Sequence, residues 1–317
     1  MVESPCVIGV DLGGTNVRLG LVHAGRIMAR AEQAVRVERS PAAMVDFLAR
    51  VITPWRSTTP APQAIGIGAP GIVDPQRGVI LKSPHYPEWV GFDMQAQLDA
   101  ATGLPVILEN DANAIALGEA TDGAGQGFAN FIMLTLGTGI GGGLILNRDL
   151  FRGDVGFAAE VGHMVLDYAG PACPCGGHGC WELYASASAF PQLIDQSDHP
   201  LRRQFLDHFH GESGRVTPAD VYRLATDGDL FANALWKTFG RFLGTGIASL
   251  TNVFGVDHFV IGGGMATAWD FFVPEAHRAL ARHTYPETAA RIQLHRARLG
   301  DDAGILGAAA LVARRLQ

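Results

Sequence analysis

No stretch of the 317-residue sequence approaches the roughly 20 consecutive apolar residues that a membrane-spanning helix needs. The opening MVESPCVIGVDLGG has no charged leader followed by an apolar segment, so a cytoplasmic protein is expected. A basic surplus is lacking too. The formal net charge is −7, whereas a protein that binds the phosphate backbone needs a positive surface to displace counterions, so nucleic acid is not an expected partner. Cysteine is scarce: four residues are too few for a disulfide scaffold. Three of them sit together in CPCGGHGCWE, residues 173–182, which points to local chemistry rather than global stapling. Low-complexity segments and flexible linkers are absent from the pattern as well.

What is there is length, apolar content and glycine. A chain of 317 residues with 48% hydrophobic content has room for two lobes with cores, because single cores stop growing near roughly 250 to 300 residues. Its 40 glycines exceed the usual share of about 7% and gather in short runs, as they do where backbone approaches a ligand closely. Residues 6–35 predict three antiparallel strands with tight turns. A helix follows, capped by Ser40 with Pro41 at its first position. QAIGIGAPGIVD reads as a buried strand entering a turn, FDMQAQLDAATG as a helix ending at Gly103, and LPVILEND as a strand. The order then begins again: FIMLTLGTGIGGGLILNRDLFRG repeats strand, glycine turn, strand. Residues 229–254 predict a long buried helix, HFVIGGG a strand meeting a glycine turn, and DAGILGAAALVARRL a final helix. The expected class is α/β, in two related halves facing each other across a cleft.

Several motifs carry chemistry. DLGGT places Asp11 at a strand end before Gly13, Gly14 and Thr15, a turn whose amides can cradle phosphate while Asp11 orients hydrated Mg2+; an ordinary hairpin is the plain alternative. LGTGIGGG contains a formal G-x-G-x-x-G at Gly137, Gly139 and Gly142, with Glu160 about 20 residues on. A dinucleotide fingerprint must open a helix, and LILNRDLF is strand-like, so a phosphate hairpin fits better. VIGGGM supplies a third glycine turn, where a base or ribose can lie against backbone. In ILENDANAIALGEA, Asp111 at a helix start suits an N-cap; facing a cleft, it also suits a general base for a hydroxyl nucleophile. In the knuckle, Cys173, Cys175 and Cys180 with His163 form a Cys3His set of structural-zinc type. His178 is an alternative fourth ligand, and free thiols or a disulfide are the other readings. Cys6, in a predicted strand, is expected in the core.

DLGGT, GIGAPGIVD, ENDANA, LGTGIGGG, EVGH, CPCGGHGCWE and VIGGG occur here in the order seen in the ROK family of bacterial sugar kinases and repressors, which the chain resembles from residue 11 to residue 264. Within it the chain is most similar to the glucokinases. The resemblance implies an actin-like and hexokinase-like ATPase fold of duplicated RNase H-like lobes, closing over sugar and ATP, with a small zinc knuckle. The small lobe would be residues 1–112 completed by the helix 301–317, and the large lobe 113–300, with the knuckle at 163–182. It implies Asp111 as catalytic base; Gly71, Asn110, Glu160, His163 and Glu182 on sugar hydroxyls; Asp11, Gly13, Gly14, Thr15, Thr138 and Gly139 on the phosphates; and Gly263 and Gly264 on the adenosine side. His163 would also bind zinc with Cys173, Cys175 and Cys180, fixing a pocket wall rather than performing chemistry.

The implied reaction is transfer of the γ-phosphoryl of MgATP to the 6-hydroxyl of an aldohexose, D-glucose first, with N-acetylmannosamine, fructose and allose as neighbouring substrates. A sugar-responsive repressor is the rival class. One departure is His85 in KSPHYPEW, where many family glucokinases carry asparagine. The family usually forms dimers or tetramers.

Overall fold

The computed structural model describes residues 4–14, 16–35, 40–83 and 87–316; Thr15 and His85 lie outside them. The chain begins with strands β1 (Cys6–Leu12), β2 (Asn16–His23) and β3 (Arg26–Ala34), helix α1 (Pro41–Trp55), and strands β4 (Ile65–Ala69), β5 (Ile72–Asp74) and β6 (Val79–Lys82). It continues with α2 (Met94–Thr102), β7 (Val106–Asn110) and α3 (Asp111–Thr121). The second half carries β8 (Phe131–Leu136), β9 (Ile140–Leu146), β10 (Asp149–Phe151), α4 (Phe190–Asp195), α5 (Arg202–Asp207), α6 (Pro218–Thr226) and α7 (Leu230–Phe254). It ends with β11 (His258–Gly262), α8 (Trp269–His283), α9 (Pro286–Ala289), β12 (Gln293–Arg296) and α10 (Ala303–Leu316). Among the described residues no helix is long and apolar enough to cross a membrane.

The local signals hold. Ser40 accepts a hydrogen bond from the Ala43 N–H and Pro41 opens α1, Gly103 ends α2 in the left-handed region, and Asp229 caps α7. The first sheet has order β3-β2-β1-β4-β7 and the second β10-β9-β8-β11-β12. Each pairs a β-meander with parallel strands, so the two halves repeat one plan. The chain separates into two compact units, one of residues 1–133, 143–159 and 297–317, the other of residues 134–142 and 160–296. α3 therefore lies in the first unit, whereas the sequence reading ended that lobe at residue 112.

In the first unit α10 lies flush on β1 and β4. Gly9 and Gly66 make this possible, since a Cβ on either would run into the α10 carbonyls of Ile305 and Ala308. Small residues on both sides thus exchange side-chain volume for close backbone approach. Glu119, fully buried on α3, accepts the N–H groups of Arg298 and Leu299 at 3.0 and 2.9 Å. That tie fixes where the chain enters α10, and satisfies a buried carboxylate that would otherwise be costly. Cys6 is buried in the core. In the second unit an aromatic cluster joins α7 to α8: the Trp236 and Phe239 rings lie 5.5 Å apart and Phe239 and Phe272 5.3 Å apart, both edge to face.

Candidate active site

Two carboxylates face each other at the strand ends of the first unit. Asp11 sits near the end of β1, beside Arg18 of β2 and Gly68 of β4. Burial pushes the Asp11 carboxyl up to about 6, the negative charge of Asp111 adds to the shift, and Arg18 opposes it. Arg18 is itself shared: its Nε meets Glu32 at 3.1 Å and its Nη1 meets Asp301 at 3.4 Å. A buried carboxylate held uncomfortably beside another is a group that a divalent cation relieves. The adjacent Gly13 donates its N–H to Asn16 O at 2.9 Å, so a tight turn links β1 to β2. Gly14 follows in that turn, and Thr15 is not described.

The β7–α3 junction carries Asp111 and differs from the sequence reading in one respect. The N-cap is Asn110, whose Oδ1 accepts the Asn113 N–H at 3.0 Å, while Asp111 is the first helical residue. The register is set by the other end of the same amide, where Asn110 Nδ2 donates to Gly71 O at 3.0 Å. Gly71 has φ +104° and a Cβ there would collide with Lys82 O, so only glycine places that carbonyl over the junction. Asp111 Oδ1 accepts the Ala112 N–H at 2.8 Å. Behind it Glu109, buried, pairs with Arg152 Nε at 2.5 Å. Neither Glu109 nor Arg152 stands out in the sequence as a site residue, because they are 43 positions apart.

The knuckle belongs to the second unit. Ligand atoms of His163, Cys173, Cys175 and Cys180 all lie within 4.8 Å of one another. Cys173 Sγ is 3.8 Å from His163 Nδ1, and Cys175 Sγ is 3.6 Å from Cys180 Sγ. A tetrahedral zinc with Zn–S near 2.3 Å spaces its sulfurs about 3.8 Å apart, so the donor set and its spacing fit the ion. His178 is outside this group, on the hairpin bridge to Ala172. Burial pushes the Cys173 thiol up and the Cys180 thiol up to about 12, while the Gly177 N–H lowers Cys175. A bound metal ion supplies what such thiols need in order to stay deprotonated together. The other imidazole nitrogen, His163 Nε2, faces Glu160 at 4.0 Å, and Nδ1 also lies 3.4 Å from Glu182 Oε1. Glu160, His163 and Glu182 therefore converge on one spot beside the knuckle.

The remaining glycine loops are in the same unit. A Cβ on Gly139 would strike the Glu182 carboxylate, which puts the 137–139 loop directly against a predicted sugar residue. Ser188 Oγ donates to Thr138 O at 2.6 Å and the Ala187 N–H donates to Gly137 O at 2.8 Å. This pin from residues 187 and 188 carries no motif and was not legible in the sequence. Gly263, at φ +84°, packs on the Leu136 backbone. Gly264 has open space around it and lines a cavity of about 340 Å³ with Thr138, Tyr222, Trp236 and Met265. Its size and mixed apolar lining suit a flat heterocycle.

The chain matches the ROK family model over residues 7–315. It is 33% identical to a glucokinase of Thermotoga maritima, over 98% of each chain, and 35% identical to a glucokinase of Streptomyces coelicolor, over 96% of each. A ROK family glucokinase from Streptomyces griseus, solved in complex with glucose and AMPPNP, superposes with a TM-score of 0.82 at 34% identity, over 98% of this chain and 99% of that one. With that match spanning both glycine-loop systems, the junction at Asp111 and the cysteine knuckle, the chain belongs to the ROK family.

Proposed function

We propose that this protein is an ATP-dependent hexose kinase that phosphorylates the 6-hydroxyl of an aldohexose, with D-glucose as the preferred acceptor. The observation that carries the reading is the placement of Asp111 at a helix start whose neighbours are all tied down, beside a second carboxylate suited to a cation. The similarity to glucokinases, one of them bound to glucose and AMPPNP, supports the choice of substrates.

Asp111 accepts the proton of the 6-hydroxyl as that oxygen bonds to the γ-phosphorus. The bond from that phosphorus to the β,γ-bridging oxygen breaks, and ADP leaves. Most of the work is positioning and charge stabilisation rather than covalent chemistry. Mg2+, when bound, neutralises charge on the transferring phosphoryl group, and Asp11 is the residue that holds it. Backbone amides of Gly14 and Gly139, with the hydroxyls of Thr15 and Thr138, bind phosphate oxygens, while Gly13 shapes the turn through its N–H bond to Asn16 O. Gly263 and Gly264 leave room for adenosine. Asn110, Glu160, His163 and Glu182 read the sugar hydroxyls, and Gly71 shapes the same side through Asn110. His163, Cys173, Cys175 and Cys180 would hold zinc, which would fix the orientation of the His163 ring that reads the sugar. His85 is a candidate for setting sugar preference, and the active protein is a homodimer or homotetramer.

The test is a coupled ADP-release assay with MgATP across glucose, mannose, fructose, allose, N-acetylglucosamine and N-acetylmannosamine, on protein of known zinc content. Preference for glucose is expected. Activity confined to another sugar would move the substrate and make His85 the first residue to replace. No turnover of any of the six by zinc-loaded protein would overturn the reading.

A further inference from the structure

Glu109 has the most elaborate bonding at the β7–α3 junction. Its side chain is 2% exposed. Oε1 accepts the backbone N–H of Asn110 at 3.0 Å and the side-chain amide of Asn113 at 3.1 Å, and Oε2 accepts Arg152 Nε at 2.5 Å. Arg152 lies just past the end of β10, and its own carbonyl accepts the Ala158 N–H at 3.2 Å. The guanidinium is thus fixed at the head of a short closed loop.

Glu109 is buried while the Arg152 side chain is 32% exposed, and such a pair is a poor device for stability, because desolvation of the buried carboxylate offsets much of the attraction. What such a pair does provide is orientation. The groups that Glu109 holds, the N–H of residue 110 and the side chain of residue 113, flank Asp111 on either side. Asn110 in turn joins the Asn113 N–H to Gly71 O. Asp111, whose own Oδ1 accepts the Ala112 N–H, is thus framed on both sides by groups that Glu109 and Asn110 hold.

We propose that Glu109 and Arg152 are positioning residues, which hold Asp111 at the place and angle from which it accepts the hydroxyl proton. Arg152 also keeps the buried Glu109 charge from acting on Asp111 unopposed. This rests on the kinase reading above. Cutting the pair leaves Glu160, His163 and Glu182 untouched, and Asn110, the one sugar-reading residue that Glu109 touches, keeps its side-chain bonds to Gly71 O and the Asn113 N–H, so the loss falls on the chemical step rather than on sugar binding.

The experiment measures kcat, hexose KM and zinc content for wild type, Arg152→Ala and Arg152→Lys, with sugar affinity followed separately by calorimetry and folding by thermal melts. For Arg152→Ala, kcat is expected to fall on the order of 100-fold, the scale of a small misplacement of a catalytic group, with sugar affinity within about threefold of wild type. Added guanidinium at millimolar levels is expected to restore part of that turnover, and Arg152→Lys, which keeps the charge and the fold, to lose roughly tenfold. Unchanged kcat in both variants overturns the proposal. So does a variant whose loss of turnover is matched by equal losses of sugar affinity and melting temperature, since that describes a purely structural pair. Should Arg152→Ala fail to fold, Arg152→Lys decides by the same criteria. A wild type that phosphorylates no hexose overturns the kinase reading itself, a result distinct from an active wild type with indifferent variants.

Discussion

A Cβ placed on Gly304, in the first turn of α10, would stand 2.5 Å from Cγ of Asp11, nearly three hundred positions earlier in the chain. The atoms in the way belong to the carboxylate, so any side chain at residue 304 acts on Asp11 before it acts on the fold. Gly304→Ala is expected to fold, because alanine is the better helix former, and to lose activity on the order of 100-fold as the carboxylate is pushed from its place. Steady-state kinetics at varied Mg2+ check this; the variant should need more Mg2+ to reach its maximum. Normal kinetics would detach Asp11 from the metal.

The raised Asp11 carboxyl predicts a pH signature in stability. Its folded value of about 6 lies above the ordinary carboxylate value of 3.8, so the folded state holds a proton that the unfolded chain has released between those limits. Stability from this group is complete below pH about 4 and is lost as pH rises through about 6. Asp11→Asn cannot titrate. The variant is expected to be more stable than wild type at pH 8, by about 2 to 3 kcal/mol given 1.36 kcal/mol per pKa unit, with the gap closing towards pH 4. Urea melts of both proteins at pH 4, 6 and 8 measure it, and a gap independent of pH would count against the assignment. Saturating MgATP should narrow the gap at pH 8 by stabilising the wild type.

Zinc is expected at about one ion per chain. Cys175→Ser or prolonged chelation should remove it, lower the melting temperature, and raise the hexose KM more than it lowers kcat, because the metal orients His163 and does not touch the phosphoryl group. Metal analysis alongside kinetics tests this. A fall in kcat at constant KM would place the knuckle in the chemical step instead.

Asp111→Asn keeps the shape of the junction and removes the proton acceptor. Turnover is expected to fall by about 10²- to 10⁴-fold, the usual contribution of a general base, with hexose affinity by calorimetry near the wild-type value. Near-normal turnover would leave the proton to another group.

Much of the architecture was legible because local rules decide it. Ser40 with Pro41, Gly103 and Asp229 mark helix ends by capping chemistry that involves only their neighbours. Strand and glycine-turn alternation foretold the antiparallel β1, β2 and β3. The helix start at Asp111 was legible to within one residue. Its cap fell to Asn110 because Gly71 O, far along the chain, takes the other end of that amide, which no local pattern announces.

The sequence by itself determined the fold class, the helix ends that Ser40, Gly103 and Asp229 mark, the four motifs rich in glycine and the presence of a metal-type cysteine cluster, since each depends on the chemistry of adjacent residues, whereas α4, α5, α6, α8 and α9 went unread. Only the tertiary structure decided that His163 rather than His178 joins the cysteines, that Glu109 and Arg152 meet behind Asp111, and that Gly304 comes up against Asp11. These are encounters between segments distant in sequence, brought about when close-packed backbones and buried charges settle on the arrangement that satisfies them together.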